Sequence, residues 1–94
     1  RARLPFGTLL ERGLLEPGQQ LFFRGDPAAA AVILANGQLK LGEQAGSIHE
    51  LGRALTGAPC NGWEHWYYRD EAGAPQPIDR LRERLRAEIE SRAV

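Results

Sequence analysis

Apolar residues recur along this chain at two different periods, and the switch between them predicts its elements. Pro5 suits the first turn of a helix, where its missing N–H is not needed. Leu9, Leu10 and Leu14 follow at helical spacing, and Gly13 with Glu16-Pro17-Gly18 closes the segment. Gln20 to Arg24 then alternates as a strand, with Leu21 and Phe23 on one face and Phe22 on the other. Gly25-Asp26-Pro27 turns the chain into a second strand, Ala28 to Leu34. Asn36-Gly37 is the strongest hairpin signal, because both residues tolerate the positive φ of a type I′ turn. Gln38-Leu39-Lys40-Leu41 alternates as a third strand.

Helical spacing returns at Ser47-Ile48-His49-Glu50, a capping box in which the serine caps and the glutamate three residues on reaches back. Ile48, Leu51 and Leu55 are predicted to face inward, and Gly57 to end the helix. Trp63 to Arg69 reads as a fourth strand. Its alternation places Trp63, His65 and Tyr67 on one face and Glu64, Trp66 and Tyr68 on the other, so one aromatic set is expected to be partly exposed. Asp70 to Pro77 reads as a Gly/Pro-rich loop. A last helix starts near Ile78, with Ile78, Leu81, Leu85 and Ile89 in one narrow arc. The sum is an α+β fold: a small antiparallel sheet of about four strands packed with about three helices, spanning residues 1–94 as one domain.

Composition narrows the function. The chain has 94 residues, 43% of them hydrophobic, which is too many for a disordered tail, and no apolar run is long enough to cross a bilayer. A single cysteine allows no internal disulfide, so a reducing compartment is expected, and no signal peptide is read at the start. The chain lacks methionine and begins at Arg1, and is therefore expected to be a fragment of a larger protein. Twelve bases balance twelve acids, but unevenly: residues 1–24 hold four Arg against two Glu, while 61–78 hold one Arg against three acids. All bases except Lys40 are arginine, whose planar fork suits phosphates and guanine edges. A GC-rich genome also favours arginine, so composition alone does not define a nucleic-acid binder.

Catalytic chemistry finds little to use. His49, His65 and Cys60 have no zinc-site spacing, no Gly-rich phosphate loop follows a strand, and a lone cysteine before Asn-Gly is more often packed than nucleophilic. No catalytic residue and no metal ligand is assigned. Two turns carry more. Ser47 starts a helix, where free N–H groups and the helix dipole favour an anion such as phosphate, and His49 and Arg53 share that helix's polar face. Asn61-Gly62-Trp63 forms the second turn. An exposed indole there suits stacking on an unpaired base, and Asn61 offers an amide to an adenine edge. Each has a structural alternative: Ser47 as a cap alone, Trp63 as a core anchor, Asn61 as a turn residue with left-handed backbone. On the last helix, Arg82 and Arg86 have Asp79, Glu83 and Glu90 within pairing distance.

Several stretches resemble one family in order. Pro5-Phe6-Gly7-Thr8-Leu9-Leu10-Glu11-Arg12-Gly13-Leu14-Leu15-x-Pro17-Gly18, followed by Leu21-Phe22, resembles the start of a RAMA domain, the restriction-enzyme and adenine-methylase associated module. The hairpin at Asn36-Gly37, then Gly46-Ser47-Ile48-His49, Cys60-Asn61-Gly62-Trp63-x-x-Trp66 and Pro77-Ile78-Asp79-x-Leu81-Arg82 continue the likeness. More narrowly, the chain is similar to the C-terminal domain of cell-cycle-regulated adenine-N6 DNA methyltransferases acting at GANTC. That resemblance implies an accessory DNA-binding domain with no activity of its own. The Asp-Pro-Pro-Tyr motif and the S-adenosylmethionine site would lie in an N-terminal catalytic domain outside this sequence. It also implies DNA methylation linked to replication, a bacterial, cytoplasmic, nucleoid-associated protein, dimerisation of the parent, and no membrane partner. Carried over by position, the implied DNA contacts are Ser47, Asn61 and Trp63, then Arg82 and His49; Arg53 joins them from the reading of the helix face. Glu50 and the neutral net charge depart from a basic DNA surface, so a few oriented contacts are expected rather than a broad positive field.

Two other readings stand beside this one. A protein–protein or dimerisation module would use the last helix and touch no DNA. A stand-alone reader of modified DNA would prefer methylated duplex.

Overall fold

A computed structural model describes residues 3–92. Its elements run α1 (Phe6–Glu11), β1 (Gln20–Phe23), β2 (Ala30–Ile33), β3 (Leu39–Leu41), β4 (Gln44–Gly46), α2 (Ile48–Thr56), α3 (Gly62–His65), β5 (Trp66–Arg69), β6 (Pro75–Pro77) and α4 (Asp79–Arg92). The fold is α+β, with one antiparallel sheet in the order β4-β3-β2-β1-β5-β6. That is six strands and four helices among the described residues, where the sequence predicted about four and about three. The additions are short: β4, the one-turn α3, and β6, which occupies part of the segment expected to be a loop.

Cross-strand register divides the sheet into two faces. Leu21 lies opposite Ala31, Ile33 opposite Leu39, Phe23 opposite Trp66, and Leu39 opposite Gly46, all buried. Against this face pack Leu9 of α1, Ile48 and Leu51 of α2, Trp63 of α3, and Leu81 and Leu85 of α4, with Leu15 and Ile78 from the connections. One core therefore holds the domain, and within it the Trp66 indole is fully buried, its Nε1–H donating to the Ile48 carbonyl at 2.8 Å. The other face carries Phe22, Val32, Lys40, Tyr67 and Arg69, none of which joins the core.

Three local expectations change. Trp63 does not begin a strand. Asn61 accepts the Trp63 N–H on its side-chain oxygen, which starts a helical turn and swings Trp63 toward the core side. Both tryptophans are consequently buried, which is the core-anchor alternative for Trp63, while His65 and Tyr67 of the same predicted face stay partly exposed. The β2–β3 turn is not type I′. Gly37 has φ 85°, but Asn36 does not have positive φ; its side chain instead accepts the Gln38 N–H while Gly37 closes back on Leu34. This is a three-residue loop with its left-handed residue last. Leu55, expected inward, lies near the end of α2 with 37% of its surface exposed, at the rim of a cavity it shares with Phe23.

Candidate functional site

The two turns singled out in the sequence meet. Ser47 caps α2 through the full capping box: its hydroxyl accepts the Glu50 N–H at 3.0 Å, and its own N–H donates to Glu50 Oε1 at 2.8 Å. The Ser47 backbone N–H, with a smaller effect from the Ser47 side chain, holds the Glu50 carboxyl below its usual range. A carboxylate already sits on the helix start, so Ser47 acts structurally at the position expected to favour phosphate. Asn61 caps α3 with φ −86°, so its role as a left-handed turn residue is not needed.

His49 joins the turns. Its Nδ1 accepts the Gly62 N–H at 2.9 Å, which requires the ring proton on Nε2. His65 takes the opposite arrangement, with Nδ1 2.9 Å from the Asn61 carbonyl and the ring stacked on Phe23. The close approach depends on Gly62: a Cβ there would lie 2.6 Å from the Ile48 backbone. The α2 start and the Asn61-Gly62-Trp63 turn are thus one packed unit. Neither histidine bonds Cys60, whose thiol packs beside Gly52 and is pushed up by burial against a smaller opposing effect of Arg24. A thiol shifted in this direction is a weaker nucleophile than an activated one. No group of three or more metal-ligating side chains occurs among the described residues.

Trp63 and Arg82 form the other half of the site. The Arg82 guanidinium lies 4.3 Å from the indole centroid, while Phe6 packs at a tilt 6.2 Å away. Asp79 fixes the same guanidinium with contacts of 2.8 and 2.6 Å to one carboxylate oxygen. Arg86 pairs with Glu83 one turn further on. A shallow groove results, lined by Arg3, Leu4, Pro5, His49, Trp63, Arg82 and Arg86. It gathers three of the six sequence candidates. Ser47 and Asn61 stand beside it on the two helix starts, and Arg53 lies exposed further along α2, outside its lining. Sequence reasoning did not include Arg3 or Arg86 among the site residues. Arg3 precedes every periodic segment, so no pattern could place it, whereas Arg86 follows Arg82 by one helical turn and was legible.

The β4–α2 connection is closed by Glu50, whose Cβ would lie 3.1 Å from a Cβ at Gly46. No helix among the described residues is long and apolar enough to cross a membrane.

The architecture is a small α+β domain with an arginine-lined groove between α2, α3, α4 and the N-terminal segment. The family model for the Restriction Enzyme Adenine Methylase Associated domain, RAMA, matches residues 1–91. The chain belongs to the RAMA family, a family associated with adenine methylases.

Proposed function

We propose that this RAMA domain is the DNA-engaging accessory module of a site-specific adenine-N6 DNA methyltransferase, acting at a GANTC-like site. The observation that carries this reading is the groove. Arg3, Arg82 and Arg86 converge there with the Nε2–H tautomer of His49, and Arg82 is held in one orientation by Trp63 and Asp79. Oriented guanidinium and N–H donors suit phosphates and guanine edges. Trp63 contributes by holding Arg82 rather than by stacking on a base, and Ser47 and Asn61 by building the helix starts that flank the groove. The catalytic step and S-adenosylmethionine belong to an N-terminal domain of the parent, a bacterial cytoplasmic enzyme that forms a homodimer. Extruding the target adenine costs a few kcal/mol, and accessory contacts of this kind offset part of it.

The test is an NMR titration of the labelled chain with a short GANTC duplex at low salt, then with the same site opened by mismatches. The expected shifts fall on His49, Asn61, the Trp63 indole and the Arg82 and Arg86 side chains. Arg82→Ala is expected to remove most of the response. Shifts confined to the exposed face of α4, unchanged by Arg82→Ala, would favour a protein-contact module instead.

A further inference from the structure

The second face of the sheet offers a surface independent of the groove. Register aligns Pro77, Tyr67, Phe22 and Ala30 across four strands in one row, and Gln20, Val32, Lys40 and Ala45 in the next. Phe22 and Tyr67 are direct cross-strand neighbours, half-buried, and no helix residue of the core packs on them. The Arg69 guanidinium lies 5.0 Å from the Phe22 ring centroid, and the Tyr67 ring rests near Gly25 and Pro75. The charged side chains of these strand positions are Lys40 and Arg69, both positive. The acids at this sheet's turns are partly engaged locally: Asp70 accepts from Ala72, Ala74 and Gln76, and Asp26 from Ala28.

We infer that this open face is a stacking platform for an unpaired nucleic-acid strand. Neighbouring aromatic rings on an open sheet face, with Arg69 beside them and Lys40 in the next row, match what single strands present, namely π faces at regular spacing along a polyanion. A duplex hides those base faces within its stack, so the platform selects opened DNA. A second copy of this chain on the same face would bring Lys40 and Arg69 against like charges, which disfavours self-association there. This surface lies beyond the groove reading, and each can fail without the other.

The test is fluorescence anisotropy at low salt, titrating the chain into a labelled mixed-sequence 12-nucleotide strand lacking GANTC, then into its duplex. The single strand is expected to bind at least roughly tenfold tighter than the duplex. Phe22→Leu and Tyr67→Leu retain apolar bulk and remove the π face, and each is expected to weaken the single strand roughly tenfold with an unchanged thermal melt. Lys40→Ala with Arg69→Ala is expected to lower the salt dependence. Arg82→Ala is expected to leave single-strand affinity within about twofold, while the GANTC duplex arm reads the groove separately. Absence of single-strand binding would overturn the inference, as would binding indifferent to both leucine variants but lost in Arg82→Ala. Concentration-dependent mass in light scattering, abolished by Phe22→Leu, would instead identify a protein-contact face.

Discussion

His49 Nδ1 accepts the Gly62 N–H at 2.9 Å, so an imidazole from the first turn of α2 satisfies the amide that opens α3. Gly62 is buried, and an unpaired buried amide costs about 1–3 kcal/mol. His49→Ala is expected to lower the urea unfolding free energy by that amount. His49→Asn is expected to recover much of it, because an amide oxygen can accept at the Nδ1 position. Equal losses in both variants would show that the bond contributes nothing.

Trp63 is only 6% exposed and packs between Phe6 and Arg82. Trp63→Ala is expected to cost about 3–5 kcal/mol, visible as a large drop in melting temperature, with Trp63→Phe costing less. A melt unchanged in Trp63→Ala would contradict the core placement.

The glycines on the facing helices predict a coupling. A Cβ at Gly52 would lie 2.6 Å from the Cys60 Sγ, a side chain that can be shortened. Gly52→Ala is expected to cost about 1–3 kcal/mol, and Cys60→Ala to relieve most of that cost in the double variant. Gly62→Ala meets the Ile48 backbone instead and is expected to gain no relief from any neighbouring side-chain change. Urea unfolding of the single and double variants checks both.

Acid sensitivity follows from two carboxylates. Glu50 is lowered by the hydrogen bonds from the Ser47 backbone and side chain; Asp70 is lowered chiefly by the Ala74 backbone N–H, then by Gln76, Ala72 and the charge of Arg80. A folded-state value below the unfolded one stabilises above the unfolded value, and that contribution is lost as pH falls through the folded one. Stability is therefore expected to decline below about pH 5. Ser47→Ala and Asp70→Asn are each expected to flatten part of that decline, measured as melting temperature against pH.

The elements legible in the sequence were those whose signal is local. The Ser47 capping box, the Leu81 and Leu85 stripe and the alternation at Leu21 and Phe23 each depend on a few neighbouring residues, and each occurs as expected. Trp63 misled because alternating aromatics match a strand, whereas the Asn61 cap commits the chain to a helical turn first. β4 is three residues long and carries Gln-Ala-Gly, a composition without strand preference; it forms because β3 offers a partner. The meeting of His49 with Gly62 spans 13 residues and depends on a missing Cβ, which no periodicity encodes. Nor could the sequence show which sheet face the helices would cover, and so whether Trp63 or Phe22 would remain accessible.

The β6 edge has one more consequence. Asp70 N–H bonds the Ala74 carbonyl and Ile78 N–H bonds the Trp66 carbonyl, so the intervening alternation turns the backbone groups of Pro75 and Pro77 away from β5. Proline has no N–H, and both outward positions are proline. This rim presents carbonyl oxygens and not one donor, a one-sided template on which a foreign strand cannot complete a ladder. At high local concentration such modules resist fusing edge to edge at this rim into a continuous sheet, and remain separate bodies.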